Sequence, residues 1–470
     1  MELYRFRRVD NLLGGFDELE SQTIFFSSRE YLNDPMEGHR KIYWEGDSIL
    51  WENLFINYLL SFERLLSVWV VSGEEREIVV ESYLPISGGI DDLPTVEYQN
   101  LFNKIVTKLK GYESCSKLID TLGKRLDPVS ENELFWILKS LHPVIIYVAN
   151  TVYLEEGLVN KYFFSEDKLA AIEDIMLRNM AKFASGEIGA KEHHELEHLR
   201  SEYTHRAYTN KIEGLINSSR KNKALVLQDF PILYLQNIQR LMYPDWYVAC
   251  FMSTFHNSAS WAHYGDNHSG ACLIYRVEED NDALFLNLRS GNNQGQDEKA
   301  KTRRLKFYPV EYSNDNRDVD FFASLGQLTT PQLELCWYSI GDIVSDRYES
   351  LFSDESRWRK NYWDMFYHAV TRKSLDWKPE CELRLIVSND AGSSGKCNGY
   401  TLKYDFRNLK GLIFGIRMTE ENKIKLIVAI KAKCKKYGVK DFELYEAIYS
   451  ESEKNVQRRK LIGLSSYVNC

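Results

Sequence analysis

The sequence has little of what marks secreted, fibrous or disordered proteins. Its 470 residues include only 10 prolines and 26 glycines, too few for a collagen-like or disordered chain. The eight cysteines form no Cys-x-x-Cys pair and no closely spaced framework, which argues against a disulfide scaffold or zinc ribbon and favours reduced thiols. The chain is charged from its second residue, so we expect no secretory leader and a cytoplasmic protein.

Long apolar runs, excess basic charge and internal repeats are also lacking. The most apolar segment, around Leu66 to Val71, is too short to cross a bilayer, so we expect no membrane span and no membrane partner. A net charge of −9 argues against a generally basic nucleic-acid-binding surface, while a local basic groove remains compatible with it. The absence of a repeat of roughly 20 to 50 residues disfavours a solenoid.

What remains is the composition of an ordinary globular protein of more than one unit. Hydrophobic residues make up 44% and charged residues 27% of the chain. Because the chain is several times the usual domain length, we expect two structural units or one unit with a large insertion.

The hydrophobic pattern predicts a β core interrupted by helices. Residues 2–7 and 23–27 read as strands around a short helix over 9–19. Helical periodicity then dominates from about Ile49 to about Leu241. Strand-like composition returns in WYVACFMSTF, GACLIYRV, RRLKFYPVEY, ELRLIVS, YTLKYDF, LKGLIFGI and DFELYEAIY.

We therefore predict an α+β fold with a mixed or antiparallel β core and a large helical insertion. Residues 1–48 form the first part of the core, residues 49–243 the inserted helical domain, and residues 244–470 the second part of the core. A lysine-rich helix over about 420–437 gives the last part a βαβ-like ending.

The most familiar local pattern is HELEH, at His194, Glu195 and His198. Two histidines four residues apart share a helix face and could hold zinc, with the glutamate as base. The surrounding segment KEHHELEHLRSEY is charged on every side, which favours a solvated helix over a metal centre. No metal site is therefore predicted here.

Charged side chains near both ends of the chain are better candidates. Alternation along LYRFR places Arg5 and Arg7 on one face of the first strand, where they would bind an anion or face solvent. Glu380 and Glu382 share a face at the start of a late strand. Two such carboxylates repel unless a cation or a reacting group lies between them, and a structural network with Arg384 and Lys373 explains them equally well.

Between these ends, polar and aromatic residues crowd into ACFMSTFHNSASWAHYGDNHSGACLIYRV, which is typical of a site or of a capped helix followed by a polar loop. Two glycines, Gly265 and Gly270, indicate tight turns. The residues that this density singles out are Ser253, Thr254, His256, His263, Tyr264, Asp266 and His268.

Four segments together resemble a large bacterial family of unknown function. They are Tyr4 to Arg7, IFFSSREYLNDPMEG with Asn33-Asp34-Pro35, WAHYGDNHSG and WKPECELR. The likeness covers roughly residues 1–45 and 245–450, and the helical block has no part in it. An ordered set of four segments is more specific than any one of them.

This arrangement in turn looks like the ADP-ribosyltransferase superfamily, which implies NAD as the substrate. On that resemblance Arg5 contacts the phosphates or ribose, Glu382 stabilises the ribosyl cation, and Glu380 orients the nucleophile. It also implies Arg7, Asn33, Asp34, Ser253, Thr254, His263 and Tyr264 as NAD-binding residues. MSTF departs from the Ser-Thr-Ser of the arginine-type members, and His263 with Tyr264 has no place in their pattern, so the histidine-type chemistry stays open.

Our leading hypothesis is thus an NAD-dependent ADP-ribosyltransferase, of a toxin-like or anti-phage defence kind, that modifies a protein or nucleic acid. The helical block would bind the target, a regulatory partner or a second copy of the chain. One alternative is a metal-dependent nucleotide or nucleic-acid hydrolase using His263, His268, Glu380 and Glu382. Another is a non-catalytic nucleotide- or nucleic-acid-binding module whose cations come from RRLKF, WRKNYW and QRRK.

Overall fold

The computed structural model describes residues 1–72, 86–163, 190–216, 224–290, 302–388 and 399–470. It divides the chain into two compact units. The β unit comprises residues 1–39, 244–316 and 366–470, and the helical unit comprises residues 40–243 and 317–365.

The strands within the described residues follow the β-rich segments of the sequence. They are β1 (Glu2–Arg7), β2 (Thr23–Ser28), β3 (Lys41–Trp44), β4 (Val129–Ser130), β5 (Trp246–Met252), β6 (Ala271–Arg276), β7 (Glu278–Asp280), β8 (Ala283–Ser290), β9 (Thr302–Pro309), β10 (Glu311–Tyr312), β11 (Asp318–Asp320), β12 (Ser339–Ile340), β13 (Ile343–Val344), β14 (Arg372–Lys373), β15 (Glu382–Ser388), β16 (Gly399–Tyr404), β17 (Leu409–Phe414), β18 (Glu443–Ser450) and β19 (Asn455–Lys460).

The α-helices within the described residues cluster in the first half of the chain. They are α1 (Val9–Leu13), α2 (Ser48–Ser72), α3 (Val96–Lys110), α4 (Glu113–Lys124), α5 (Glu131–Glu155), α6 (Ala190–Ile216), α7 (Phe230–Ile238), α8 (Ser258–His263), α9 (Thr330–Leu333), α10 (Asp346–Phe352), α11 (Glu355–Thr371), α12 (Glu420–Tyr437) and α13 (Ile462–Val468).

One large, mostly antiparallel sheet organises the β unit. Six of its strands pair in a closed circuit, in the order β5, β15, β9, β8, β16 and β2. A second run continues from β1 through β6, β17 and β18 to β19, and only β17 and β18 pair in parallel. Strand β5 also touches β1, so it belongs to both parts of the sheet.

The two parts of the sheet separate along one edge of β5. Strand β2 pairs with β5 at Val248 and Tyr247, whereas β1 meets β5 only at Met252. Between these two contacts the same edge of β5 has neither partner beside it. A strand edge without a partner leaves backbone groups that must bond elsewhere. An opening thus forms between β1 and β2 along β5.

Apolar residues pack on both sides of β1. Tyr4 and Phe6 lie in one cluster with Trp261 and Ile274, and Leu3 lies in the larger cluster on the opposite face. This is the two-residue alternation that the LYRFR pattern predicts, since successive side chains of a strand point to opposite faces.

The helical unit is built around two long apolar helices, α2 and α5. Each is long and apolar enough to cross a membrane, and 67% of the most apolar window of each is buried inside the protein. Helix α2 also buries Glu63, which accepts hydrogen bonds of 2.6 Å from Tyr98 and Tyr153. A buried carboxylate with two protein donors is typical of a packed core, and the burial is consistent with a soluble protein.

The observed architecture is mixed α and β, as the sequence predicts, with differences in its boundaries. The helical unit begins at residue 40 and also takes residues 317–365, which the sequence analysis placed in the β core. The reason is a long-range pairing, because β11 lies parallel to β3 at Val319 and Ile42. The predicted helix over 9–19 ends at Leu13, and β19 forms where the sequence suggested only a cationic segment.

Candidate functional site

A cavity of about 550 Å³ opens in the β unit where β1 and β2 separate along β5. This volume lies within the range of small-molecule and cofactor sites. The residues that line it combine cations, carboxylates, amides and aromatic rings: Tyr4, Arg5, Phe6, Arg7, Asn11, Phe16, Glu18, Phe25, Ser27, Tyr31, Leu32, Asn33, Glu37, Val248, Cys250, Met252, Tyr264, Lys373 and Glu382.

Arg5 bridges the gap between the separating strands. Its Nη1 donates to the carbonyl of Cys250 on β5 at 3.3 Å, and its Nη2 donates to the carbonyl of Phe25 on β2 at 2.8 Å. The side chain thus bonds carbonyl groups on both strands that flank the opening. Its guanidinium also lies 5.2 Å from the centroid of the Phe251 ring.

Arg5 is a buried cation without a carboxylate partner among the described residues. It is 4% exposed, and its Nε has no hydrogen-bond partner there. Burial, followed by the neighbouring Arg7, lowers the pKa of Arg5 to about 10, so the guanidinium is charged at neutral pH. Because a buried charge is costly without a counter-ion, this site favours an anionic ligand.

Arg7 differs from Arg5 in having its own counter-ion. Its Nε donates to Glu18 at 2.8 Å, and the Glu18 side chain is buried. Of the two arginines that the first strand contributes, only Arg5 is left with its charge uncompensated by a close carboxylate in the described part of the chain.

Five buried charged residues form a cluster beside the cavity, and three of them also line it. The five are Glu37, Lys373, Glu380, Glu382 and Arg384. Lys373 Nζ lies 2.7 Å from Glu380 Oε2, 3.2 Å from Glu382 Oε2 and 3.6 Å from Glu37 Oε1. Arg384 Nε donates to Glu382 Oε1 at 2.7 Å, and Arg384 Nη2 pairs with Glu37. Three carboxylates thus surround two cations.

The charges of this cluster determine its protonation. Burial raises the pKa of Glu382, but Arg384 and Lys373 outweigh that effect and lower it to about 2. Burial also raises the pKa of Glu37 and of Glu380 above the usual range, despite their cationic neighbours. Glu382 is therefore the carboxylate of the cluster whose ionised form is most strongly favoured, and it is also the one of the Glu380–Glu382 pair that lines the cavity.

The local backbone brings the two glutamates together. A 3₁₀ turn over Leu375–Glu380 ends at Cys381, whose φ of 50° lies in the left-handed region that residues other than glycine rarely adopt. Strand β15 then begins at Glu382, whose backbone N–H donates to the Tyr312 hydroxyl at 2.8 Å. Strained backbone of this kind recurs at functional sites, where the surrounding structure must hold it in place.

Tyr264 reaches the same cluster from the central segment of the chain. It follows α8, and its hydroxyl donates to Glu380 Oε1 at 2.9 Å. Three consecutive residues with positive φ, Asp266 to His268, then turn the chain into β6. A side chain at Gly270 would collide with the carbonyl of Arg7, so this turn packs directly against β1.

Three of the segments quoted above therefore meet at one place. Tyr264 comes from WAHYGDNHSG, Glu380 with Glu382 and Arg384 from WKPECELR, and Glu37 from the segment around Asn-Asp-Pro. Residues 260–385 match the family described as Protein of unknown function (DUF2971). No curated protein and no solved structure matches the chain. The matched range includes Tyr264, Lys373 and the Glu380–Arg384 segment, but neither Arg5 nor Glu37.

Some predicted ligand-binding residues do not line this cavity. Asp34 accepts hydrogen bonds from the backbone N–H groups of Met36 and Ser374, so it holds the loop that carries its neighbour Asn33. Ser253 bonds the carbonyl of Cys381 through both its backbone N–H and its hydroxyl. The Thr254 hydroxyl accepts a hydrogen bond from the backbone N–H of His256.

The predicted histidines also lie outside the lining of the cavity. His263 is exposed, with its ring centroid 5.9 Å from that of Trp377. His268 bonds the Ser258 hydroxyl at 3.3 Å, and its ring stacks on Trp261. Among the described residues no group of three His, Cys, Asp or Glu side chains is placed to hold a metal ion.

The HELEH segment forms an exposed part of helix α6. His194 and Glu195 are exposed, and His198 Nδ1 lies 3.7 Å from Glu202 on the same helix. None of these residues lines the cavity of the β unit. The solvated-helix interpretation describes this segment, because charged side chains surround both histidines.

The cationic segments proposed for nucleic-acid binding are mostly paired within the protein. Arg304 pairs with Glu278 and Asp280. Arg459 and Lys460 pair with Glu446 and Glu443. Cations that already have carboxylate partners attract phosphates less strongly.

Sequence reasoning missed Glu37 and Glu18. Neither residue lies in a recognisable charge pattern. Glu37 pairs with Arg384 far along the chain, and Glu18 pairs with Arg7 across a turn. The aromatic residues Phe16 and Tyr31 were also missed, although both line the cavity and are 59% exposed. Phe16 follows α1 and Tyr31 follows β2, and this position in connecting segments was the available signal, since loops often carry ligand-binding residues.

Proposed function

We propose that the chain is an NAD-dependent ADP-ribosyltransferase with an ADP-ribosyltransferase-like β core, and that the cavity of the β unit is its NAD site. The observation that carries the proposal is that Arg5 and Glu382, from opposite ends of the sequence, line one cavity. By strand alternation Glu382 lies on the face of Tyr4 and Met252, whereas Arg5 extends from the other face of β1. The gap between β1 and β2 lets both side chains line the same cavity.

The anion-binding side of the cavity suits a dinucleotide. Arg5 has a free Nε and no carboxylate partner among the described residues, so the NAD diphosphate supplies the missing counter-charge. Arginine binds phosphate oxygens through several N–H groups at once, which fixes both position and orientation. Asn11, Asn33 and Ser27 add neutral hydrogen-bonding groups, and Phe16 and Tyr31 add aromatic faces for the bases.

The carboxylate side of the cavity suits the chemical step. When the bond between nicotinamide and ribose breaks, positive charge develops on the ribose. Glu382 is ionised because its pKa is about 2, and the cluster to which it belongs holds three carboxylates against two cations. A fixed negative charge favours the transition state over the less positive ground state of the sugar.

The acceptor of the ADP-ribose is a macromolecule, protein or nucleic acid, in this proposal. The helical unit has its own core and would bind that acceptor, a regulatory partner or a second copy of the chain. The biological role proposed with this activity is that of a cytoplasmic toxin-like or anti-phage defence effector.

A second candidate function is a nucleotide-binding module without catalysis. One observation favours it: both carboxylate oxygens of Glu382 already accept hydrogen bonds, from Arg384 and Lys373. A carboxylate held in this way is less available to a reacting sugar than a free one. In this case the cavity binds NAD or a related nucleotide and releases it unchanged.

Nicotinamide release from NAD distinguishes the two functions. Purified protein is incubated with NAD, with and without cell lysate as acceptor, and wild type is compared with Glu382→Gln. Glu446→Gln is the matched control, because Glu446 also lies on a strand of the β unit and pairs with an arginine but does not line the cavity. The proposal predicts release or lysate labelling by wild type and control, reduced at least about 100-fold in Glu382→Gln.

Two other results have different meanings. NAD binding by wild type without any nicotinamide release, with every acceptor tried, would leave the binding module as the function. If the protein neither binds NAD at millimolar concentration nor releases nicotinamide from it, both candidates are contradicted.

A further inference from the structure

Tyr264 links the cavity to Glu380. Its side chain lines the cavity, and its hydroxyl donates to Glu380 Oε1 at 2.9 Å. Glu380 itself is 5% exposed and is not among the lining residues. Within the described part of the chain, the residues that bond Glu380 and also face the cavity are Tyr264 and Lys373.

The reaction proposed above requires an acceptor for one proton. Water or an acceptor hydroxyl loses a proton as its oxygen bonds to the ribosyl carbon. Glu382 is a poor base, because it bonds two cations, Arg384 and Lys373, which hold its pKa at about 2 against the effect of burial. Lys373 is also unsuitable, since its three carboxylate neighbours hold its pKa above the usual value despite burial, so it is already protonated.

We propose that Tyr264 relays the proton of the attacking nucleophile to Glu380. This inference rests on the proposed NAD cleavage and assigns Tyr264 as a catalytic residue and Glu380 as the residue that positions it and takes the proton. Such a relay needs a hydroxyl that faces the nucleophile and is already bonded to a carboxylate. Tyr264 lines the cavity that would hold the nucleophile, and its hydroxyl already donates to Glu380.

The step balances with water as the nucleophile. The water oxygen forms a bond to the ribosyl carbon while the bond from that carbon to the nicotinamide nitrogen breaks, and the electron pair stays on the nitrogen. The water proton moves to the Tyr264 oxygen as the phenol proton moves to Glu380. NAD and water thus give ADP-ribose, nicotinamide and a proton on Glu380, which later passes to solvent.

The surroundings of both groups favour this direction of transfer. Burial raises the pKa of Tyr264, so at neutral pH the phenol is protonated and able to donate. Burial also raises the pKa of Glu380, which makes it a stronger base than an exposed glutamate. The charged and titratable groups that face Glu380 are Lys373 on β14, Glu382 on β15, Tyr312 on β10 and Tyr264, and Glu37 adjoins them through Lys373.

The test measures NAD hydrolysis in water as a function of pH, for wild type, Tyr264→Phe and Glu380→Gln. Tyr449→Phe is the control, since Tyr449 is a tyrosine on a strand of the β unit that is 59% exposed and lies away from the cavity lining. We expect Tyr264→Phe to lower kcat about 100-fold with little change in KM, because a general acid–base group contributes roughly that factor. Circular dichroism and NAD titration check that each variant is folded and binds.

The pH profile separates the relay from a structural role. In wild type kcat falls as pH drops through the raised pKa of Glu380, because the protonated carboxyl no longer accepts a proton. We expect this acid limb to disappear in Glu380→Gln and to remain in Tyr449→Phe. If wild type turns over NAD but Tyr264→Phe keeps kcat within about threefold, or Glu380→Gln keeps the acid limb, the relay is wrong while the transferase stands. No turnover by wild type overturns both.

Discussion

At the scale of single residues, the site depends on a compact balance of buried charges. Arg384 has no exposed surface and holds Glu37 and Glu382 at once. Its Nη1 donates to the carbonyl of Val370 at 2.6 Å. Buried ion pairs of this kind add little net stability, yet removing one partner leaves an uncompensated charge in the interior.

We therefore predict a large loss of stability for Arg384→Leu. It leaves Glu37 and Glu382 facing each other with only Lys373 between them, and we expect the free energy of unfolding to fall by about 3–5 kcal/mol. Arg459→Leu is the control, because Arg459 is an exposed partner of Glu446 and its loss costs about 1 kcal/mol or less. Urea unfolding compares the variants, and equal losses would show that burial does not set the cost.

The sequence predicted this cluster only in part. Strand periodicity predicted that Glu382 and Arg384 share a face of β15. The predicted strand position of Glu380 was wrong, because Glu380 ends a 3₁₀ turn and the left-handed Cys381 brings it beside Glu382. Glu37 was not predicted, because it lies 347 positions from Arg384 and no local pattern records such a contact. The left-handed Cys381 was equally hidden, since cysteine has no preference for that conformation.

At the scale of secondary-structure elements, the decisive feature is the separation of β1 from β2 along β5. The alternation in LYRFR predicted which residues share a face of β1, and the structure places Tyr4 and Phe6 opposite Arg5. The separation could not be predicted, because it depends on which strands pair at a distance. Arg5 fills the gap by bonding the carbonyls of Phe25 and Cys250.

We predict that Arg5 supplies most of the affinity of the cavity for phosphate. Arg5→Gln should weaken binding of inorganic pyrophosphate and of NAD at least tenfold, because a hydrogen bond to a charged group contributes about 1.5–3 kcal/mol. Arg8→Gln is the matched control, since the Arg8 side chain is 62% exposed and does not line the cavity. Isothermal titration calorimetry measures both ligands.

Unchanged binding by Arg5→Gln would contradict this prediction. If this variant binds pyrophosphate as tightly as wild type does, Arg5 serves only to join the two strands. Equal weakening in Arg8→Gln would instead indicate general surface attraction, which salt would screen.

At the scale of the whole molecule, two units with separate cores share one chain. The β unit is assembled from three stretches of sequence and the helical unit from two. Hydrophobic periodicity identified the helical block, but β11, α9 and α10 joined the helical unit through a strand pairing that periodicity does not encode.

We predict that the two units respond separately to core substitutions. Phe62→Ala in α2 removes a fully buried ring that packs on His142 and Phe230, and it should destabilise the helical unit by about 3–5 kcal/mol. Arg384→Leu should act on the β unit. In scanning calorimetry each substitution should lower a different part of the unfolding transition, whereas one cooperative transition shifted alike by both would show that the units unfold together.

The central claim is that NAD occupies the cavity between Arg5 and Glu382. A crystal structure of the protein soaked with NAD, or with ADP-ribose, tests it most directly. The account predicts diphosphate oxygens within hydrogen-bonding distance of the Arg5 guanidinium and the ribosyl carbon facing Glu382 and Tyr264. A nucleotide bound elsewhere, or a cavity that stays empty at saturating millimolar NAD, would contradict it.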